Sequence, residues 1–367
     1  MGKKQTKKSV KRTAIKKPYN TQLDILKGFA ILLVVLGHSV QTFATKGQFD
    51  NYLLFRIIYS FHMPLFMFLS GAAAAYSIRP MNFDLLKRKF YMLVIPFLSW
   101  YVVGYYLTTA HSQQTIETYT HKLVASPDVG LWFLWALFLN FCCLALGKKM
   151  EKYFKLYSYL VVWLAIMAVP IGKYGIGSVK WYLPFFISGY LIFLYRKGLV
   201  IYRNIAITLS VISFPVLVAS WHRLYLPSPL THMQGYLVNH HLLTVSAGSF
   251  VTINTYEIFA LIYQYAVPFA GIGFTFWLLQ LKSSMYLYRL LAFLGLYTLD
   301  IYVAHVYFFK YAFGRSWVEI TSGFVIAFVG SFLLGFIVLR RVPILSQIFL
   351  GGRSTPTVLR FRRQRTA

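Results

Sequence analysis

The sequence predicts an all-α integral membrane protein of about ten transmembrane helices with both termini cytoplasmic, and three observations carry that prediction. Hydrophobic residues make up 58% of 367, while charged residues are held to 13%. The apolar residues arrive in blocks of roughly 17 to 25, the length that crosses a bilayer core. The basic residues, 37 against nine acidic ones for a net charge of +28, are concentrated between alternate blocks. In a soluble chain such a surplus would suggest nucleic acid. Spaced between apolar blocks it follows the positive-inside rule, and the partner it implies is a lipid bilayer, with no nucleic acid.

In order, the blocks lie near 23–44, 52–76, 90–110, 130–147, 156–171, 180–195, 204–220, 254–280, 290–312 and 320–339. Residues 1–21 form a basic arm suited to anionic lipid, residues 22–340 the membrane domain, and residues 341–367 a basic tail. The arm is no secretory signal, because a full-length apolar run follows it without a small-residue cleavage site. With the N-terminus inside, 28 of the 37 basic residues fall on inside segments. Only six (Lys46, Lys122, Lys173, Lys180, Arg223 and Arg315) fall on outside loops. Shifting the count by one helix would scramble that split. The expected location is the cell (plasma or inner) membrane, spanned many times.

The first block, LDILKGFAILLVVLGH, places Asp24, Lys27, Ile31, Val34 and His38 on one stripe at about 100° per residue. Polar groups aligned in this way face protein rather than lipid. His38 lies about 17 Å beyond Lys27 along the axis. The second block, RIIYSFHMPLFMFLSG, carries Arg56 and His62; its Pro64 opens the helical ladder near mid-membrane, and Ser70-Gly71 permits close helix approach. Lys87-Arg88-Lys89 precedes the third block, placed to grip the phosphates of a cytoplasmic acyl donor. The fourth block holds the two cysteines, Cys142 and Cys143, whose adjacency suggests no disulfide framework. The longest connection, 221–253, is broken by Pro227, Pro229, Gly235 and Gly248 and reads as a lid or a tether. It carries His222, His232, His240 and His241, but without Cys or carboxylate spacing these do not make a metal site, and no metal is expected.

Ionisable residues inside spans are functional candidates by default. They are Asp24, Lys27 and His38 in the first span, Arg56 and His62 in the second, Glu257 in the eighth, and Asp300, His305 and Lys310 in the ninth. His38 suits a general base, since a neutral imidazole near a carboxylate accepts a hydroxyl proton at neutral pH. A packing histidine bonded to a backbone carbonyl would read the same, and Asp24 with Lys27 would equally well neutralise each other. Asp300 with Tyr297, and Tyr302 with His305, form i, i+3 pairs that either orient a base or hold two helices together.

At these residues the chain resembles membrane acyltransferase family 3, especially its sugar O-acetylase branch, which is fucose 4-O-acetylase-like. LDILKGFAILLVVLGH resembles the opening helix of that family, FHMPLFMFLSG the second, LWFLWALF the fourth, WYLPFFISGYLI the sixth and LGLYTLDIYVAHV the late helix ending in histidine. Five motifs in order over residues 22–340 make the resemblance specific. It implies an O-acetyltransferase that moves an acetyl or other short acyl group from acyl-CoA, a co-substrate with no tightly bound cofactor beside it, to a hydroxyl. The acceptor would be a sugar or a surface or lipid-linked glycan, with polysaccharide-biosynthesis partners. His38 would be the essential histidine, with Asp24 or a late-helix group orienting the catalytic site. Lys27, where the family commonly has arginine, would bind the donor with Arg88, and Arg56, His62 and His305 would line the substrate sites. The alternative in another class is a non-enzymatic exporter of polysaccharide or glycolipid, which ten helices with a polar interior would also serve.

Overall fold

The computed structural model describes residues 21–44, 49–76, 83–108, 115–125, 130–169, 174–221, 243–245, 251–253, 255–281 and 284–352. Fifteen α-helices run through these segments. The first half comprises α1 (Thr21–Phe43), α2 (Leu53–Tyr59), α3 (His62–Ala75), α4 (Phe83–Lys89), α5 (Ile95–Thr108), α6 (Ile116–Ala125) and α7 (Trp132–Phe154). The second comprises α8 (Ser158–Ala168), α9 (Ile176–Leu194), α10 (Val200–Ala219), α11 (Thr255–Leu278), α12 (Met285–Gly295), α13 (Thr298–Phe308), α14 (Trp317–Leu333) and α15 (Pro343–Leu350). Within the long connection before α11, Leu243–Val245 (β1) and Val251–Ile253 (β2) pair antiparallel, a small exception to the all-α architecture. The rest of that connection, its four histidines included, and the side chain of Glu257 lie outside the described residues.

Among the described residues eight helical stretches are long and apolar enough to cross a bilayer, or nine when α12 and α13 count as one bent span. One of the eight stretches, Trp132–Ala168, holds both the fourth and the fifth block of the sequence, which is why the count falls below ten. It folds back on itself at Lys155, whose φ is 49°, so that Val162 of α8 packs beside Leu139, Cys143 and Met150 of α7. The second span is also broken, but not at its proline. The break falls at Phe61 (φ −147°, ψ −12°), and Pro64 sits in the first turn of α3, where a missing N–H costs no hydrogen bond. The third span widens into a π-helical turn at Phe90–Val94, two residues before Pro96, whose ring and absent N–H disrupt the i−4 pairing there. The packed body also continues past the expected boundary at 340. The short helix α15 docks on α5, where Trp100 Nε1 donates to the Phe349 carbonyl at 3.1 Å.

Helix α1 sits at the centre, against α2, α3, α12, α13 and α14. Its contact with α12 is backbone on backbone: a Cβ added at Gly28 would lie 1.9 Å from the Leu291 oxygen, and one at Gly295 2.0 Å from the Asp24 oxygen. Helices α3 and α9 meet in the same reciprocal way through Gly71 and Gly189, as the Ser70-Gly71 pair predicts. Small residues matter here because lipid tails are as apolar as leucine, so close packing rather than hydrophobic exclusion drives association. The stripe on α1 does face protein, with Ile31 and Val34 fully buried. Helix α10, by contrast, presents Ile201, Ile205, Leu209, Ile212 and Val216 outward, as a lipid-facing helix does.

Between α12 and α13 the chain turns by 81°. One ion pair holds the corner. Arg340 donates from Nε and from a terminal guanidinium nitrogen to the two oxygens of Asp300, both at 2.7 Å, and also reaches the Leu296 carbonyl at the bend, at 2.9 Å. Both partners are buried, and the guanidinium lies 4.4 Å from the Tyr297 ring centre. Asp300 therefore pairs with an arginine from the far end of the domain rather than with Tyr297, whose hydroxyl has no partner among the described residues. Removing one member of a buried pair leaves an uncompensated charge. Arg340→Met is expected to cost about 3 to 5 kcal/mol, read as a lower melting temperature of the detergent-solubilised protein, and the double change Asp300→Leu with Arg340→Met to recover most of it.

Candidate active site

Three imidazoles from three helices meet near the Phe43 end of α1. The rings of His38 and His305 lie 5.3 Å apart between centroids, and Tyr59 bridges the other side, 6.1 Å from His38 and 4.7 Å from His62. The break between α2 and α3 is what puts Tyr59 and His62 there, one as the last residue of its helix and the other as the first. His62 and His305 are buried, and His38 is partly exposed.

The hydrogen bonds fix the tautomer of each ring, because a carbonyl oxygen can only accept. His62 donates from Nδ1 to the Ile58 carbonyl at 2.9 Å, and His305 donates from Nδ1 to the carbonyls of Tyr302 at 2.8 Å and Ile301 at 3.2 Å. His38 Nδ1 faces Gln41 Oε1 and the Tyr59 hydroxyl, each at 3.2 Å, while the Tyr59 hydroxyl donates in a short bond to the same Gln41 oxygen. With that hydroxyl proton committed to Gln41, His38 Nδ1 is the donor to both oxygens. In all three rings the proton sits on Nδ1 and the lone pair on Nε2, the arrangement a base requires.

A second feature lies toward the other end of α1. Lys27, Arg88 and Lys89 line a cavity of about 220 Å³ together with Ser70 and Thr298. Its walls include Met63, Phe66, Phe133 and Tyr302. Phe133 packs edge-on against both Phe66 and Tyr302, with centroids 5.7 and 5.5 Å apart. Met63 follows His62 in sequence, and Tyr302 supplies the carbonyl that orients His305. The cavity therefore runs from a cationic group to the neighbours of the imidazole cluster. Close contact of α1 with α12 places Lys27 beside Thr298, and the last turn of α4 delivers Arg88 and Lys89. Lys89 also lies 3.9 Å above the centre of the Phe141 ring, while Lys87 is exposed and outside the cavity lining.

Several sequence candidates fall elsewhere. Asp24 bonds Lys27 at 3.5 Å and cannot orient His38, which is fourteen residues, or about 21 Å, further along the same helix. Gln41 and Tyr59 take that place instead. Gln41 was detectable as the i+3 neighbour of His38; nothing in the local pattern marks Tyr59. Arg56 is not directed at the cavity. It donates to the carbonyls of Val218 and Ala219 and so caps the end of α10. Lys310 is exposed, beside Tyr311. Lys180, read as a loop residue, is fully buried in the first turns of α9, where Nζ reaches the Val169 carbonyl at 2.5 Å.

Two curated relatives, each named nodulation protein NolL, match about half of the chain. The one from Sinorhizobium fredii is 29% identical over 184 residues, covering 46% of this chain and 47% of its own length. The one from Mesorhizobium japonicum is 28% identical over 180 residues, covering 46% of each. The chain thus spans about half the length of the curated relatives it matches. No solved structure matches it. The family model described as an acyltransferase domain matches residues 20–340, nearly the whole packed body, and the chain belongs to that family, acyltransferase family 3.

Proposed function

We propose that this protein transfers an acetyl or other short acyl group from acyl-CoA to a hydroxyl of a sugar or a surface or lipid-linked glycan, within the cell membrane. One observation carries the reading: a cavity lined by three cations reaches Met63 and Tyr302, the neighbours of a cluster of imidazoles that carry their protons on Nδ1. The cations suit the phosphates of coenzyme A, and Arg88 alone of the three offers a planar fork for bidentate contact. Lys27 is a point charge steadied by Asp24. The apolar walls suit an extended pantetheine arm, and eleven residues of α1, about 17 Å, separate Lys27 from His38.

At the far end His38 is the base. Its Nδ1–H is held by Gln41 and Tyr59, and Nε2 makes no hydrogen bond among the described residues, so it can take the proton of an incoming hydroxyl. The partly exposed position of His38 fits an acceptor too large to be enclosed. Holding thioester and hydroxyl on either side of one imidazole converts a bimolecular encounter into an oriented one.

His38→Ala, in protein that still folds and inserts, is expected to lower the transfer of label from radiolabelled acetyl-CoA to glycan by about 100- to 10,000-fold, the usual worth of a general base. In a strain carrying it, acetyl esters should vanish while the polymer is still exported. Lys27→Ala and Arg88→Ala should act on the donor instead: each is expected to raise KM for acetyl-CoA by about tenfold or more, equal to about 1.4 kcal/mol, with a smaller effect on kcat.

A further inference from the structure

The base assigned above leaves a second imidazole without a task. His305 is 2% exposed, and its Nε2 is buried with no hydrogen-bond partner among the described residues. A buried polar atom without a partner costs about 1 to 3 kcal/mol, so an orphan lone pair in a packed core calls for a reason. Its position supplies one. Tyr302, whose carbonyl fixes the His305 ring, lines the donor cavity, and the ring stands 5.3 Å from that of His38 between centroids. His305 is thus the more enclosed imidazole, next to the donor side; His38 is the partly exposed one.

We infer that the two histidines divide the reaction, with His305 Nε2 accepting the acyl group as a nucleophile and His38 serving as base for its delivery to the acceptor. This rests on the acyl-CoA reading above. In the first half, the Nε2 lone pair attacks the thioester carbonyl carbon, the C–S bond breaks and coenzyme A leaves as thiolate. The proton on Nδ1 stays where it is, so the acyl-imidazole carries a positive charge. The carbonyls of Tyr302 and Ile301, already accepting from Nδ1, strengthen their hold on that cation. In the second half, the acceptor hydroxyl attacks the acyl carbon, its proton passes to His38 Nε2, and the bond from the acyl carbon to His305 Nε2 breaks. His38 then releases that proton to water and the departed thiolate takes one up from water, so both imidazoles return neutral. A covalent step lets the donor depart before a bulky acceptor binds.

The test needs no acceptor. Membranes carrying the protein are incubated with acetyl-CoA and radiolabelled free coenzyme A, and label appearing in acetyl-CoA measures the reversible first half alone. The wild-type protein and His38→Ala should both exchange, while His305→Ala and His305→Gln should fall to the level of membranes lacking the protein. Wild-type membranes that form glycan ester yet show no exchange overturn the proposal whatever the variants do. So does exchange that persists in His305→Gln, or exchange lost with His38. Wild-type membranes that form no ester from acetyl-CoA overturn the acyltransfer reading itself, which separates the two failures.

Discussion

The site depends on how closely α1 approaches the helix that precedes the bend. Gly28 and Gly295 let the two backbones touch, and no side chain larger than hydrogen fits at either place without displacing a carbonyl. That contact puts Lys27 beside Thr298 at one end and, through α13, His38 beside His305 at the other. A separation wider by one methyl group would open the space between the two imidazoles. In lipid such an approach is favoured because packing, not hydrophobic exclusion, holds helices together.

The bend itself has an electrostatic cause. Arg340, at the end of the π-helical turn Leu334–Leu339, clasps Asp300 with two bonds and the exposed carbonyl of Leu296 with a third. Turning the chain by 81° there lets α13 cross beside α1 instead of running parallel to α12. The pair therefore helps to set where Tyr302 and His305 stand relative to α1.

Imidazoles and cations lie in two groups because their surroundings differ. The cations line a cavity whose walls also carry the hydroxyls of Ser70 and Thr298, as charged groups require in an apolar body. His305 is held by carbonyls of its own helix, His62 by the Ile58 carbonyl of α2 and His38 by Gln41 and Tyr59, which leaves each ring with one committed nitrogen and one available one. Backbone carbonyls are cheap partners for this purpose, since they carry a second lone pair beyond the helical bond.

Much of this was legible in the chain itself. Apolar block lengths and the placing of basic residues determined a multi-pass helical membrane protein, and the α1 stripe from Lys27 to His38 was set by helical period alone. His62 and His305 were marked by the cost of placing ionisable groups near lipid, and Arg88 by its place in the basic run before the third block. Sequence periodicity is local, however, and could not tell which distant residues would meet. Arg340 looked like a topology charge until folding brought it forty residues back to Asp300, and Arg56 looked like a ligand contact until α10 ended against it. Asp24 shared a stripe with His38, yet a helix rises along its axis and keeps them about 21 Å apart. Only the tertiary structure decided that Tyr59 joins Gln41 in holding His38, because that bond runs from the end of α2 to α1, between residues twenty-one apart that no periodic pattern relates.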